Sequence, residues 1–205
     1  IIQEIIDMPD WNYGNAIALM LKGEDQGSSD YENAREFEAF ENISDPEDGG
    51  DGQNHPERVP RLFIEYTFES TVIEIPIVQN GEMATDTLDN GTIVTFGLSP
   101  DDAEQENDEM DTMHDDDLDA GWEGDPEDLN ILITGLRFQN IAIPDNAQID
   151  SAFVVVCSHE AKSAEDVAKI TIVAEASDNA QTFTMEQLIT DRPQTSTSVL
   201  WEIAE

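Results

Sequence analysis

The excess of acidic residues is the feature that most restricts how this chain can fold. Its 205 residues include 47 Asp and Glu against 8 Lys and Arg, which gives a formal net charge of −39. Repulsion among so many carboxylates opposes any compact state unless salt screens them or bound cations neutralise them. Two interpretations remain open: a solvated surface suited to a saline habitat, or discrete cation sites on that surface. The clustering of the carboxylates favours the second.

The same charge restricts the classes of partner. Binding to nucleic acid depends on Lys and Arg neutralising phosphates, so nucleic acid is excluded, and anionic membrane surfaces are excluded for the same reason. The remaining partners are cations, neutral polysaccharides, and copies of the chain bridged by cations. No apolar run is long enough to span a bilayer, so we expect no membrane insertion.

The hydrophobic pattern predicts an all-β protein. Hydrophobic residues make up 39% of the chain, which is enough for a core, and they occur in short runs between Asp, Asn, Gly and Pro. The runs of strand length are residues 16–21, 60–68, 71–78, 92–98, 129–138, 149–157, 168–176 and 196–203. Many short strands indicate a jelly-roll-like antiparallel β-sandwich. Isoleucines at helical spacing in residues 1–7, stopped by Pro9, predict one short helix.

The acidic segment, residues 101–128, is interpreted as loop that binds calcium. Calcium takes six to eight oxygen ligands, many of them from carboxylates and carbonyls. Asp115, Asp117 and Asp119 begin like an EF-hand, but Gly121 falls one position late and Pro126 occupies the place of the bidentate Glu. Zinc is not expected, because three His and one Cys offer no zinc-ligand spacing.

The remaining side chains of interest give no indication of catalysis. No phosphate loop, nucleophile elbow or metalloprotease motif occurs, so we expect a protein that is not an enzyme. Trp122 lies between glycines and is the best candidate for an exposed contact with a sugar or partner. Trp11 and Trp201 lie beside apolar runs and are predicted to pack in the core. Cys157 ends an apolar run and is predicted to be a buried, inert thiol.

Motifs in both parts of the chain resemble a β-sandwich domain repeated in large bacterial surface proteins. They are IIQEII at residues 1–6, GNAIA at 14–18, PRLFIEY at 60–66, SPDDAE at 99–104, GLRF at 135–138, EASDNA at 175–180 and SVLW at 198–201. The DNRLRE-type jelly rolls of secreted proteins are more distantly similar. The resemblance implies an extracellular, non-catalytic binding or structural module. It also implies metal ligands in three groups: Asp101, Asp102 and Glu104; Glu175 and Asp178; Glu38 and Glu41.

The two parts stand in permuted order relative to that domain. Residues 1–66 resemble its C-terminal half, residues 92–205 resemble its N-terminal half, and residues 67–91 connect them. Three arrangements fit. The chain is a slice of a tandem array, a permuted domain that closes on itself, or a subunit whose residues 1–66 complete the sandwich of its neighbour.

Two functions from different classes remain. The first is a structural subunit or repeat of an extracellular filament or adhesin, stabilised by calcium and assembled head-to-tail by strand or half-domain exchange. The second is a secreted carbohydrate-binding module. The permuted order favours the first.

Overall fold

The computed structural model describes residues 1–24, 33–43, 51–67, 71–87, 93–125, 128–159 and 168–203. Within these ranges one α-helix, α1 (Ile2–Ile6), precedes thirteen β-strands, and every strand pairing is antiparallel. The strands are β1 (Ile17–Gly23), β2 (Arg35–Glu38), β3 (Arg61–Thr67), β4 (Thr71–Pro76), β5 (Met83–Thr87), β6 (Ile93–Gly97), β7 (Asp102–Glu106), β8 (Glu109–Thr112), β9 (Asp117–Asp125), β10 (Asp128–Phe138), β11 (Gln148–Val155), β12 (Ala168–Ala174) and β13 (Val199–Ile203). The prediction of an all-β sandwich with one short helix is confirmed.

The larger sheet has the order β13-β12-β1-β10-β7-β8, with β9 paired to β10 and β2 paired to β9. Strand β1 is paired on both sides, since Leu19 lies opposite Leu136 of β10 and Ala174 of β12. A smaller sheet has the order β11-β3-β4, and β5 and β6 form a separate hairpin. Strand β1, from the start of the chain, therefore lies between β10 and β12, which come from its later part.

The main core lies between the two larger sheets. Leu62, Ile64 and Tyr66 on one face of β3 are buried in the same cluster as Leu19 and Leu21 of β1. These are the alternate positions of β3 that the sequence assigns to one face. Fully burying a side chain of this size contributes about 1.5–3 kcal/mol to stability.

Helix α1 packs into this core through Ile2, Ile5 and Ile6, as the spacing of the isoleucines predicts. The predicted packing roles of two tryptophans are also confirmed. Trp11 is buried, and its indole N–H donates to the carbonyl of Ile143 at 3.1 Å. Trp201 packs against the core and stacks on Phe37 with 5.9 Å between ring centroids.

A second apolar cluster covers the other face of the larger sheet. Ala18 and Met20 of β1 are buried there together with Phe183. The Phe183 ring lies directly on Gly135 of β10, where an added Cβ would stand 2.6 Å from the ring Cζ atom. The guanidinium carbon of Arg192 lies 4.4 Å from the centroid of the same ring, so the ring is enclosed between strand and cation.

The prediction that residues 101–128 form loop is wrong. The segment contributes β7, β8 and β9, which pair with one another or with β10 and β2. The physical reason is visible in β9, where buried Leu118 and Ala120 alternate with Asp117 and Asp119. Carboxylates dominate the composition of this segment, but the apolar residues between them determine the strand.

Cys157 is half-buried, whereas the sequence predicted a buried thiol. Among the described residues, no helix is both long and apolar enough to cross a membrane. Pro126, which interrupts the EF-hand pattern, lies outside the described residues.

We expect Gly135→Ala to destabilise the protein by about 1–3 kcal/mol, because the new methyl group would overpack the Phe183 ring. The measurement is urea-induced unfolding of the wild type, Gly135→Ala, Phe183→Leu and the double variant. Leu at residue 183 lacks the ring atoms that clash, so the two changes should couple favourably. If the effects of the two substitutions on the unfolding free energy are additive, contact with the Phe183 ring is not the reason that residue 135 is glycine.

Candidate metal centre

Three acidic segments that are distant in sequence meet at one end of the larger sheet. Strand β2 pairs with β9 so that Glu38 lies opposite Asp117, and the backbone N–H of Ala39 donates to the carbonyl of Asp116 at 3.1 Å. The residues following β2 also contact the start of β7 through Asp102. We call this group the acidic cluster, and its members are Glu38, Glu41, Asp102, Glu104, Asp115, Asp116, Asp117 and Asp119.

Glu41 and Asp102 bind each other's backbone segments. An oxygen of Asp102 accepts the N–H of Phe40 at 2.6 Å, and an oxygen of Glu41 accepts the N–H of Ser99 at 2.6 Å. The relative exposures of Glu41 and Asp102 are 2% and 1%. Two buried carboxylates therefore connect residues 40–41 to residues 99–102.

Burial gives these two carboxylates unusual protonation behaviour. Loss of solvation, reinforced by the negative charge of Asp102, raises the pKa of Glu41 to about 9. Loss of solvation also raises the pKa of Asp102 to about 7, although the N–H of Phe40 opposes the rise. The ring of His114 lies 3.4 Å from Glu41, but burial lowers the pKa of His114, so this histidine does not neutralise the pair near pH 7.

One oxygen of Asp102 has no hydrogen-bond partner. Its Oδ1 atom is buried and no donor within the described ranges reaches it, while Oδ2 accepts from Phe40. A buried polar atom left without a partner costs about 1–3 kcal/mol. An oxygen in this state is suited to a hard cation such as calcium, which prefers carboxylate ligands.

Glu104 lies in the same cluster and is also buried. Its carboxylate accepts the backbone N–H of Asp119, and loss of solvation raises its pKa to about 8, with the charges of Asp119, Asp111 and Asp117 adding to the rise. It therefore holds β7 to β9 as Glu41 and Asp102 hold the neighbouring segments.

The outer part of the cluster contains a carboxylate triplet. One oxygen from each of Asp115, Asp116 and Asp117 lies within 4.8 Å of the others, and no other trio of His, Cys, Asp or Glu meets this distance in the ranges that the structure describes. Asp115 is exposed, whereas Asp116 and Asp117 are half-buried. Burial raises the pKa of Asp117 to about 6, and His159 opposes this rise. We call these three residues the outer triplet.

Some of the predicted ligands are held by protein groups. Both oxygens of buried Asp101 accept hydrogen bonds, one from Arg137 and one from Gln139. Glu38 forms an ion pair with Arg58 at 3.1 Å. These contacts leave Asp101 and Glu38 with less capacity for a metal than Asp102 has.

The predicted second group, Glu175 and Asp178, lies elsewhere. Glu175 forms a buried ion pair with Arg192 at 2.6 Å, and the backbone carbonyl of Asp178 accepts a hydrogen bond from Asn15. No hydrogen bond or ion pair between described residues joins either of them to the acidic cluster. That Glu175 and Asp178 bind a metal stays a prediction.

Trp122 does not have the expected exposure. It lies in β9 opposite Ile131, is half-buried, and its indole N–H is buried with no acceptor among the described residues. The prediction that Trp122 is exposed is therefore wrong.

The sequence placed Asp116 in the acidic segment expected to bind calcium, but only its neighbours Asp115 and Asp117 were selected as ligands. Its place in the outer triplet depends on the turn before β9, which no short motif encodes. The pairing of Glu41 with Asp102 was also missed, because the Phe40 N–H and the Asp102 carboxylate that it contacts are 62 residues apart. The only local indication of a site near Glu41 was the neighbouring aromatic residue, Phe40.

The chain was compared with family models, with curated proteins and with solved structures, and none of these comparisons gave a match. The resemblance to the repeated surface-protein domain accordingly remains an expectation from the sequence motifs.

We expect the unfolding free energy, measured in chelator at constant ionic strength, to fall as the pH rises from about 5 to about 9. The pKa of Glu41 is raised from 4.5 to about 9 on folding, so the folded state binds more protons than the unfolded state over this interval. Glu104 and Asp102 act in the same direction. Urea unfolding at several pH values measures the slope.

Glu41→Gln should make this slope less steep, because the variant cannot take up that proton. The matched control is Asp108→Asn, an exposed carboxylate between β7 and β8, which should keep the wild-type slope. The comparison also removes the contribution of His55, whose pKa is raised by Glu57 and Asp51 and whose effect has the same sign. Equal slopes for the wild type and Glu41→Gln would contradict the assignment.

Proposed function

We propose that the protein is a non-catalytic structural module of an extracellular filament or adhesin, and that calcium bound at the acidic cluster stabilises its fold. The observation that carries this proposal is the burial of Glu41 and Asp102 beside each other. No ion pair with Lys or Arg compensates either of them within the described residues. A buried charge without compensation is strongly destabilising, so such a pair must be protonated or must bind a cation.

Calcium fits this requirement better than screening by salt. Monovalent salt screens exposed charges but acts weakly on buried ones. The donors are carboxylates, which suit calcium and magnesium rather than zinc or copper. Calcium sites of extracellular modules have dissociation constants of about 10⁻⁴–10⁻³ M, which a site of partly protein-satisfied carboxylates would match.

The position of the acidic cluster supports a role in joining the two parts of the chain. Glu38 and Glu41 come from residues 1–66, and the other members come from residues 92–205. In this structure β1 pairs with β10 and β12, and β3 pairs with β11, all in one chain. Half-domain exchange would form the same ladders between two subunits, since exchanged elements keep their native contacts. Calcium would then lie between subunits and stabilise a head-to-tail polymer.

The alternative of a carbohydrate-binding module has less support. It depended on an exposed Trp122, and that ring is half-buried. We therefore do not include polysaccharide binding in the proposed function.

We expect calcium to raise the thermal midpoint of the wild type by about 5–10 °C when it exceeds its dissociation constant a hundredfold, since binding then adds about 2.7 kcal/mol. The measurement is thermal unfolding in EGTA, with and without excess calcium, and with potassium chloride matching the ionic strength. Magnesium provides a second comparison. An equal rise with potassium chloride alone would mean that screening, rather than a bound ion, stabilises the fold.

Assembly is tested separately, by light scattering and negative-stain electron microscopy after refolding at high protein concentration with calcium. We expect head-to-tail oligomers that persist after dilution in calcium and convert to monomers in EGTA. Material that stays monomeric at every calcium and protein concentration would refute assembly and leave calcium-dependent stability intact.

A further inference from the structure

Asp102 has a buried oxygen that no group in the described part of the chain satisfies. The residue is 1% exposed, so water does not compensate the charge, and Oδ1 has no hydrogen-bond donor within the described ranges. Its other oxygen is fixed by the N–H of Phe40 at 2.6 Å, which determines the orientation of the carboxylate. Asp102 therefore holds one oxygen in a fixed carboxylate without a protein donor in the described part of the chain.

Glu41 lies beside Asp102, since the Phe40 N–H that Asp102 accepts belongs to the residue directly before Glu41. The charge of Asp102 is the largest electrostatic contribution to the protonation of Glu41, ahead of that of Asp115. Glu41 is 2% exposed and is itself fixed, because its Oε1 atom accepts the N–H of Ser99 at 2.6 Å. Two oriented, buried carboxylates thus lie on segments that contact each other, and no Lys or Arg is paired to either in the described part of the chain.

We infer that Glu41 and Asp102 hold one buried calcium ion, in a site distinct from the outer triplet. This inference deepens the proposed function and rests on it. The two carboxylates contribute ligand oxygens from two chain segments, and carbonyl or water oxygens complete the shell that calcium requires. The hydrogen bonds from Phe40 and Ser99 hold the ligands in place before the ion arrives, as outer-shell contacts do in other metal sites.

The outer triplet is a different kind of site. Its oxygens lie within 4.8 Å of one another at a surface where Asp115 is exposed. Exposed carboxylates stay hydrated and attract cations loosely, whereas the buried pair gains more from neutralisation. We therefore expect the tighter calcium to bind at Glu41 and Asp102.

The test is calorimetric titration of calcium into the calcium-free protein at pH 7.5 in potassium chloride of physiological strength. Glu41→Gln and Asp102→Asn keep the side-chain volume and each removes one ligand charge. Each should weaken calcium binding at the tightest site by at least about tenfold. Mutation of even an outer-shell hydrogen-bond partner typically lowers metal affinity by about 10–100-fold. Asp116→Asn in the outer triplet and Asp108→Asn on the exposed turn should leave that affinity unchanged.

A second measurement guards against variants that fold poorly. Terbium luminescence lifetimes in light and heavy water count the water molecules on the bound ion. The tight site of the wild type should hold fewer waters than the sites that remain in Glu41→Gln. Unfolding in EGTA at pH 7.5 should show that Glu41→Gln is at least as stable as the wild type without calcium, because Gln does not carry the cost of a buried acid above its ordinary pKa.

The outcomes separate the two proposals. If calcium stabilises the wild type while Glu41→Gln and Asp102→Asn keep full affinity, the buried site is refuted and the proposed function stands. Loss of the tight site in Asp116→Asn alone would assign calcium to the outer triplet and equally refute it. A wild type that binds no calcium refutes both.

Discussion

The double pairing of strand β1 is the constraint on which the rest of the structure depends. Its backbone hydrogen bonds connect β10 on one side and β12 on the other. Because both faces of the strand are covered, Ile17, Leu19 and Leu21 enter the main core, while Ala18 and Met20 enter the second cluster. A continuous apolar run is what a strand buried on both faces requires. Removing β1 would open two cores at once.

The acidic cluster is positioned by the same framework. Strand β10 pairs with β1, β7 and β9, so it places the segments that carry Asp102 and Asp117 beside one sheet. The residues around Glu41 reach the cluster because β2 adds to β9. Backbone pairing supplies the convergence of carboxylates, whereas their mutual repulsion opposes it. Backbone hydrogen bonding between the strands and packing of the two apolar clusters therefore outweigh the repulsion among the carboxylates.

Much of the fold follows from local pattern. The isoleucine spacing of α1, the alternation in β3 and the apolar run of β1 identify those elements because each pattern matches the period of its structure. The acidic strands β7 to β9 were missed because carboxylates dominate their composition, although Leu118 and Ala120 alternate correctly. Two of the three acidic groups that the resemblance implies, those of Asp102 and Glu38, meet the acidic segment around Asp117. Which carboxylates become buried, and that Glu41 lies beside Asp102, depends on long-range pairing that no local pattern contains.

Exposed and buried carboxylates contribute equally to the net charge, but they are neutralised in different ways. Exposed carboxylates repel one another through water, so dissolved salt weakens that repulsion. Glu41 and Asp102 lie out of reach of this screening, since they are 2% and 1% exposed. Only a proton or a directly bound cation can neutralise them, and a proton is given up as the pH rises. A halotolerant surface would need no buried acidic pair, so this pair, rather than the charge of −39, is what supports the proposal of a specific cation.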